Sequence, residues 1–230
     1  MKIESLYRLI NRRFRKARNK RFVAAMNLTA LTTVLDVGGT AHYWSSMPVL
    51  PRVTLLNLRR DESTGLPQIV GSACNIPCED KSFDIVFSNS MIEHLGTWER
   101  EQQAAKEMLR VGKRIWVQTP NWGFPVEPHL LTPFIHWLPR KLQRRLLPYT
   151  IWAIITHPSK EYCDGFMQEV RLLTIAEMKK LFPGCRIIYE RFGFLIKSLI
   201  AIRTAEELPP SAPGVPASSD LELSPAVRSE

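Results

Sequence analysis

Residues 33–40, Thr33-Val34-Leu35-Asp36-Val37-Gly38-Gly39-Thr40, carry the reading that decides the fold. A short apolar run with one acidic residue inside it ends at two glycines. Such a run, bounded by glycine, reads as a buried strand. Glycine directly after it allows a sharp turn and lets a ligand approach the main chain closely. Asn57 stands near the end of the next strand candidate, residues 52–58, and lies 21 positions after Asp36. Nucleotide-binding α/β folds present a polar group to ribose hydroxyls at a separation of about 20 residues.

Further along the chain the alternation continues. Residues 68–70 and 83–88 are strand candidates, the second led by an aspartate. Residues 98–111 have helical spacing through Ala104, Ala105, Met108 and Leu109 and stop at Gly112. A strand over 114–119 follows and ends at Pro120. Strands alternating with helices predict a doubly wound, mostly parallel α/β sheet covered on both faces. Ligands in such sheets bind beyond the carboxyl ends of the strands.

Three segments fall outside that pattern. Residues 1–22 hold nine Lys/Arg against one acid, Glu4, and read as a basic amphipathic helix with Leu6, Ile10, Phe14 and Ala17 on its apolar stripe. That helix could dock on an anionic membrane, contact nucleic-acid phosphates, or pack on the domain with a solvated basic face. Residues 121–163, rich in Pro, Trp, His and Arg, are read as a lid of short helices inserted in a domain spanning 23–203. The lid mixes Phe134 and Trp137 with Arg140, Lys141, Arg144 and Arg145, which suits either a wall for an apolar acceptor or a helix with a solvated basic face. A helix over 174–181 and strands over 186–189 and 194–200 close the domain. Residues 204–230, with five prolines and five serines, are expected to be a disordered acidic tail.

The formal charge of +9 is therefore concentrated at one end, and the fold itself is not a polycation. Cys74, Cys78, Cys163 and Cys185 form no Cys-x-x-Cys pair, and no His cluster stands at zinc spacing, so no metal is expected. No stretch approaches the roughly 20 apolar residues that span a bilayer, and the N-terminus lacks a signal peptide's apolar run. A cytoplasmic protein, with membrane association through residues 1–22 left open, is the expectation.

The most specific stretch is Phe83-Asp-Ile-Val-Phe-Ser-Asn-Ser-Met-Ile-Glu-His94. With Leu35-Asp-Val-Gly38, with Gly71-Ser72-Ala73 and with the Arg110-Val-Gly-Lys turn, it resembles the class I S-adenosylmethionine-dependent methyltransferases, in particular the branch that includes quinone-biosynthesis and small-molecule enzymes. The resemblance covers residues 33–120. It implies a Rossmann-like, seven-stranded sheet and S-adenosylmethionine as cofactor. Asp36, Gly38 and Gly39 would line the methionine portion, Asn57 would face the ribose, Ser72 and Ala73 the adenine, and Asn89 would lie near the methionine end. The chain departs from the family at Thr40 and His42, where glycines are usual, and at Asn57 and Ser72, where acids are usual. A neutral acceptor makes a hydrogen bond roughly half as strong as a charged one.

Methyl transfer needs positioning above all, and a hydroxyl acceptor also needs a base, for which histidine suits neutral pH. The stretch Pro125-Val-Glu-Pro-His129 follows the fifth strand, at the edge where an acceptor would sit, and similar enzymes often carry Pro-x-Glu-Pro-His there. His129 or Glu127 is accordingly the expected base or acceptor contact, the alternative being that the motif only shapes the lid. His94 is expected to start or cap a helix. The acceptor reads as a small molecule, a glycan or a lipid-linked compound. Nucleic acid fits less well, because the fourth-strand loop lacks an Asn/Asp-Pro-Pro-aromatic tetrapeptide. A nicotinamide-dependent dehydrogenase fits less well again, because the glycine turn lacks G-x-G-x-x-G. A methyltransferase-like binding module without catalysis and an RNA methyltransferase using the basic N-terminus are the alternatives.

Overall fold

The structure, a computed structural model, describes residues 3–207, and side chains from Phe14 onward. Its elements run α1 (Ile3–Ala25), β1 (Thr33–Val37), α2 (Ala41–Trp44), β2 (Arg52–Asn57), β3 (Gln68–Val70), β4 (Phe83–Asn89), α3 (Trp98–Val111) and β5 (Gly112–Pro120). A two-stranded ribbon of β6 (Val126–Glu127) and β7 (Thr132–Pro133) follows. Next come α4 (Arg140–Leu146), α5 (Ile151–Thr156), α6 (Lys160–Glu169), α7 (Ile175–Leu181), β8 (Arg186–Phe192) and β9 (Leu195–Arg203). The main sheet has seven strands in the order β3-β2-β1-β4-β5-β9-β8. The first five are parallel, and β9 enters antiparallel between β5 and β8. This is the Rossmann-like sheet expected from the sequence.

Successive strand residues point to opposite faces, and here that parity decides where the polar side chains go. Leu35 and Val37 of β1, Val86 of β4, and Ile115 and Val117 of β5 pack with Ala104 and Met108 of α3 and Met178 and Leu181 of α7. Val34, Leu55, Ile85, Phe87 and Trp116 face the other way, onto Phe22 and Met26 at the end of α1 and Tyr43 and Trp44 of α2. Phe22 is fully buried, with its ring 4.9 Å from Phe87 and 5.2 Å from Trp116.

The N-terminal helix therefore belongs to the core, and its inward stripe differs from the expected one. Phe14, Arg18, Phe22 and Met26 face the sheet, whereas Ala17 is exposed; the side chains of Leu6 and Ile10 lie outside the described residues. The inward stripe passes through Arg18 in place of Ala17, and Arg18, far from being solvated, is buried in an ion pair. The short helices run from Arg140 to Glu169, past the expected limit at 163, and Ser159 and Thr150 cap two of them. Thr174 and Glu177 form a reciprocal capping box that starts α7. Residues 204–207 close the sheet edge, where Glu207 meets Thr204 and Arg186. The rest of the expected tail, 208–230, lies outside the described residues. All four cysteines are unpaired. Among the described residues, no helix is long and apolar enough to cross a membrane.

Candidate functional site

Beyond the carboxyl ends of β1, β2 and β4 a cleft of about 320 Å³ opens, lined by Gly38, Asn57, Leu58, Ser72, Ala73, Met91, His94 and Leu95, among others. Gly38 turns the chain with φ +75°, and a Cβ there would lie 2.2 Å from Cγ of Met91, so the position accepts glycine alone. Asn57 donates from Nδ2 to the Gly39 carbonyl oxygen at 3.0 Å. That bond ties β2 to the glycine turn and leaves the amide oxygen of Asn57 as an acceptor. Ser72 braces its own loop, with its hydroxyl accepting from the Cys74 amide at 3.1 Å.

Two of the residues expected here are elsewhere, for the parity reason given above. Asp36 shares the α1/α2 face with Val34, and its carboxylate is fully buried and accepts from Trp44 Nε1 at 2.7 Å. Burial raises its pKa to about 7. It shapes the turn from behind: a Cβ on Gly39 would fall 1.7 Å from Asp36 Oδ2, so Gly39 too is fixed by packing against Asp36. Asn89, paired across the sheet with Gln118, also faces α1. Both accept from the Arg18 guanidinium, in a second cavity that Arg15, Ser90, Asn121 and Lys197 help to line.

A third group lies on the other side of the first cleft. Glu127 sits on β6 and His129 two residues later, before the chain returns as β7. Their side chains meet, Nδ1 to Oε1, at 2.7 Å, with Glu127 4% and His129 22% exposed. The other Glu127 oxygen accepts the Leu130 amide, which fixes the carboxylate. Burial alone would lower the His129 pKa, but the Glu127 hydrogen bond and charge reverse that and raise it. His94 packs edge-on to His129 with ring centroids 4.9 Å apart. Burial, then the neighbouring His129, lowers the His94 pKa to about 4. His94 caps no helix. It belongs to the 3-10 turn Ile92–His94, and Thr97 caps α3.

His94 lines both the first cleft and a cavity of about 460 Å³ walled by His129, Trp152, Tyr162, Phe166 and Glu169. The structure thus brings Gly38, Asn57, Ser72 and Ala73 together in one cleft and His129 and Glu127 together beside the next, with His94 between. The sequence gives His94 only a structural role, at a helix start, and gives Met91 and Arg18 no role at a site. For Arg18 the only signal was its four-residue spacing from Phe14 and Phe22.

The model of the methyltransferase-domain family matches residues 48–114. Among solved structures, the PH0226 protein from Pyrococcus horikoshii is 16% identical, with 84% of this chain and 89% of that one aligned at a TM-score of 0.50. A SAM-dependent methyltransferase from Methanosarcina mazei is 17% identical over 76% of this chain and 92% of that one, TM-score 0.44. A protein from Anabaena variabilis, whose name assigns it to methyl transfer in an antibiotic biosynthesis pathway, is 20% identical over 58% of this chain, TM-score 0.41. The chain spans 60% of that protein's length. No curated protein sequence matches the chain.

Proposed function

We propose that the chain, whose residues 48–114 match the methyltransferase-domain model, is a class I methyltransferase that transfers a methyl group to a hydroxyl oxygen of a small-molecule, glycan or lipid-linked acceptor. The observation that carries this reading is the His129–Glu127 pair, held at 2.7 Å on a cavity that shares His94 with the cleft beyond β1 and β2. That cleft fits S-adenosylmethionine. It offers a glycine turn that a Cβ would block, an amide oxygen on Asn57 for a ribose hydroxyl, and Ser72, Ala73, Leu58 and Leu95 around an adenine. When bound, the cofactor supplies a methyl group on a positively charged sulfur.

The chain's own part is to bind, orient and manage one proton. Glu127 accepts Nδ1–H of His129, which leaves Nε2 as the nitrogen that takes the acceptor's hydroxyl proton. The Glu127 carboxylate then stabilises the imidazolium. Trp152, Tyr162 and Phe166 supply an apolar wall against which the acceptor is held and water excluded. The exposed basic face of α1, with Arg15, Lys16, Lys20 and Arg21, is placed by the same proposal against an anionic membrane surface.

Calorimetric titration with S-adenosylmethionine and S-adenosylhomocysteine, with NADH as control, tests the cofactor reading; binding to neither adenosyl ligand overturns it. A screen of hydroxyl acceptors with the wild type and His129→Ala tests the base. Loss of turnover by about 10²- to 10⁴-fold, with S-adenosylhomocysteine binding kept, is expected. Unchanged turnover would return the pair to a structural role.

A further inference from the structure

Glu93 ends buried beneath the two histidines, and it is the least satisfied member of the group. Its residue is fully buried, one carboxylate oxygen accepts from Thr119 Oγ1 at 3.0 Å, and the other has no hydrogen-bond partner. Buried polar oxygens are rarely left unpaired, and a buried carboxylate with a bare oxygen is costly without a cation or proton. One ligand atom each from Glu93, His94 and His129 lie within 4.8 Å of one another. We propose that these three side chains form a site for a divalent transition-metal cation such as Zn²⁺, Co²⁺ or Mn²⁺, between the cofactor cleft and the acceptor cavity.

Two imidazoles and one carboxylate suit cations of this class, and hard, oxygen-only cations such as Mg²⁺ or Ca²⁺ fit less well. Bonds of about 2.1 Å require ligand atoms within about 4.2 Å of one another. The present separation of up to 4.8 Å is therefore wider than a bound cation would allow, and binding would draw the three side chains together. Glu127 completes the arrangement. Its bond to His129 Nδ1 fixes the ring and leaves Nε2 as the donor, the carboxylate–histidine–metal relationship common around bound metals. The adjoining cavity leaves coordination positions open, so that the cation would take the acceptor's oxygen as a further ligand. This last step rests on the reading of that cavity as the acceptor site. If bound there, with Glu93, His94 and His129 as its ligands, the cation would supply Lewis-acid chemistry to the acceptor's oxygen and lower the pKa of its hydroxyl. The His129 lone pair is then a ligand and no longer a base.

The test is titration of the chelator-treated full chain with Co²⁺ alone, followed by visible absorption, and with Zn²⁺ alone by calorimetry. One equivalent of each is expected to bind, with Co²⁺ developing ligand-field bands. Glu127→Gln is expected to weaken binding about 10- to 100-fold through loss of support to His129. His94→Ala should weaken it further; it is the informative variant because His94 is no part of the Glu127–His129 base. Absence of stoichiometric binding to the wild type, or binding unchanged in His94→Ala, overturns the site. Neither titration uses cofactor or acceptor, so failure here leaves the methyl-transfer reading standing. Turnover that survives both chelation and His94→Ala also overturns a catalytic cation and leaves His129 as the base.

Discussion

Arg18 of the first helix and Glu190 of the eighth strand, 172 positions apart, form a two-bonded ion pair at 2.6 and 2.7 Å with both side chains buried. The same guanidinium reaches Asn89 and Gln118, so one residue ties the N-terminal helix to β4, β5 and β8. Breaking a buried pair on one side leaves an uncompensated charge. Arg18→Met is therefore expected to destabilise the protein by about 3–5 kcal/mol, read as a lowered midpoint in urea unfolding. Replacing both partners, in Arg18→Met with Glu190→Met, should restore much of that loss, because no lone charge then remains inside. A double variant as unstable as the single one would show that the pair is not the dominant contact.

The sheet was legible because its evidence is local and repeated. The apolar run before Gly38 and the Phe83–His94 signature each set a strand and its loop, and the parallel order follows from alternation with helices. Asn57, Ser72 and Ala73 are gathered with Gly38 in one cleft because spacing along the chain fixes which strand end they occupy. Asp36 and Asn89 are not, since strand end and strand face are separate questions. Parity sends both to the α1 side, where Trp44 and Arg18 are their partners. Arg18 looked like part of a solvated basic face because nothing near it in sequence announces Glu190. The His94–His129 contact spans 35 positions and was equally invisible, although both histidines were noted singly.

Asp36 should leave a mark on stability as a function of pH. Its carboxyl, ordinarily at 3.8, is raised by burial to about 7, so the folded state favours the protonated form. The stability it contributes is full below about pH 4 and is lost as the pH rises through 7. Glu93, raised to about 7 by burial, acts in the same direction. His94, lowered to about 4, acts oppositely, costing stability as the pH falls from 6.5. Asp36→Asn keeps an acceptor for Trp44 without an ionisable proton. Thermal unfolding from pH 4 to 8 should therefore show the variant gaining on the wild type as the pH rises, up to a ceiling of about 4 kcal/mol. Parallel curves for the two proteins would show that Asp36 stays ionised when folded.

Asn57 is a case where the acid usual in the methyltransferases that the sequence resembles should do worse. An aspartate there would gain charge toward a ribose hydroxyl but would lose the Nδ2 donor that reaches the Gly39 carbonyl at 3.0 Å. It would also set a carboxylate oxygen against that carbonyl. Loss of the bond, with the carbonyl left unpaired, costs about 1–3 kcal/mol, and the glycine turn that shapes the cleft depends on it. Asn57→Asp is expected to lower the unfolding midpoint and to weaken S-adenosylhomocysteine binding in calorimetry. Tighter binding by the variant would mean that charge at the ribose outweighs the brace.

The burial of Arg18 and Phe22 also dictates how a membrane role for the N-terminus must be examined. Deleting residues 1–22 would remove the buried ion pair and an aromatic ring packed between Phe87 and Trp116, so lost vesicle binding would report unfolding as readily as lost contact. The exposed cations Arg15, Lys16, Lys20 and Arg21 can be changed without touching that packing. Near an anionic surface each contributes about 1 kcal/mol, and salt screens the attraction over a Debye length of about 10 Å at 0.1 M. Replacing all four with glutamate should abolish co-sedimentation with phosphatidylserine vesicles while the unfolding midpoint changes little. Wild-type binding should weaken as salt is raised. Binding that survives the charge reversal would exclude this face of the helix as the contact.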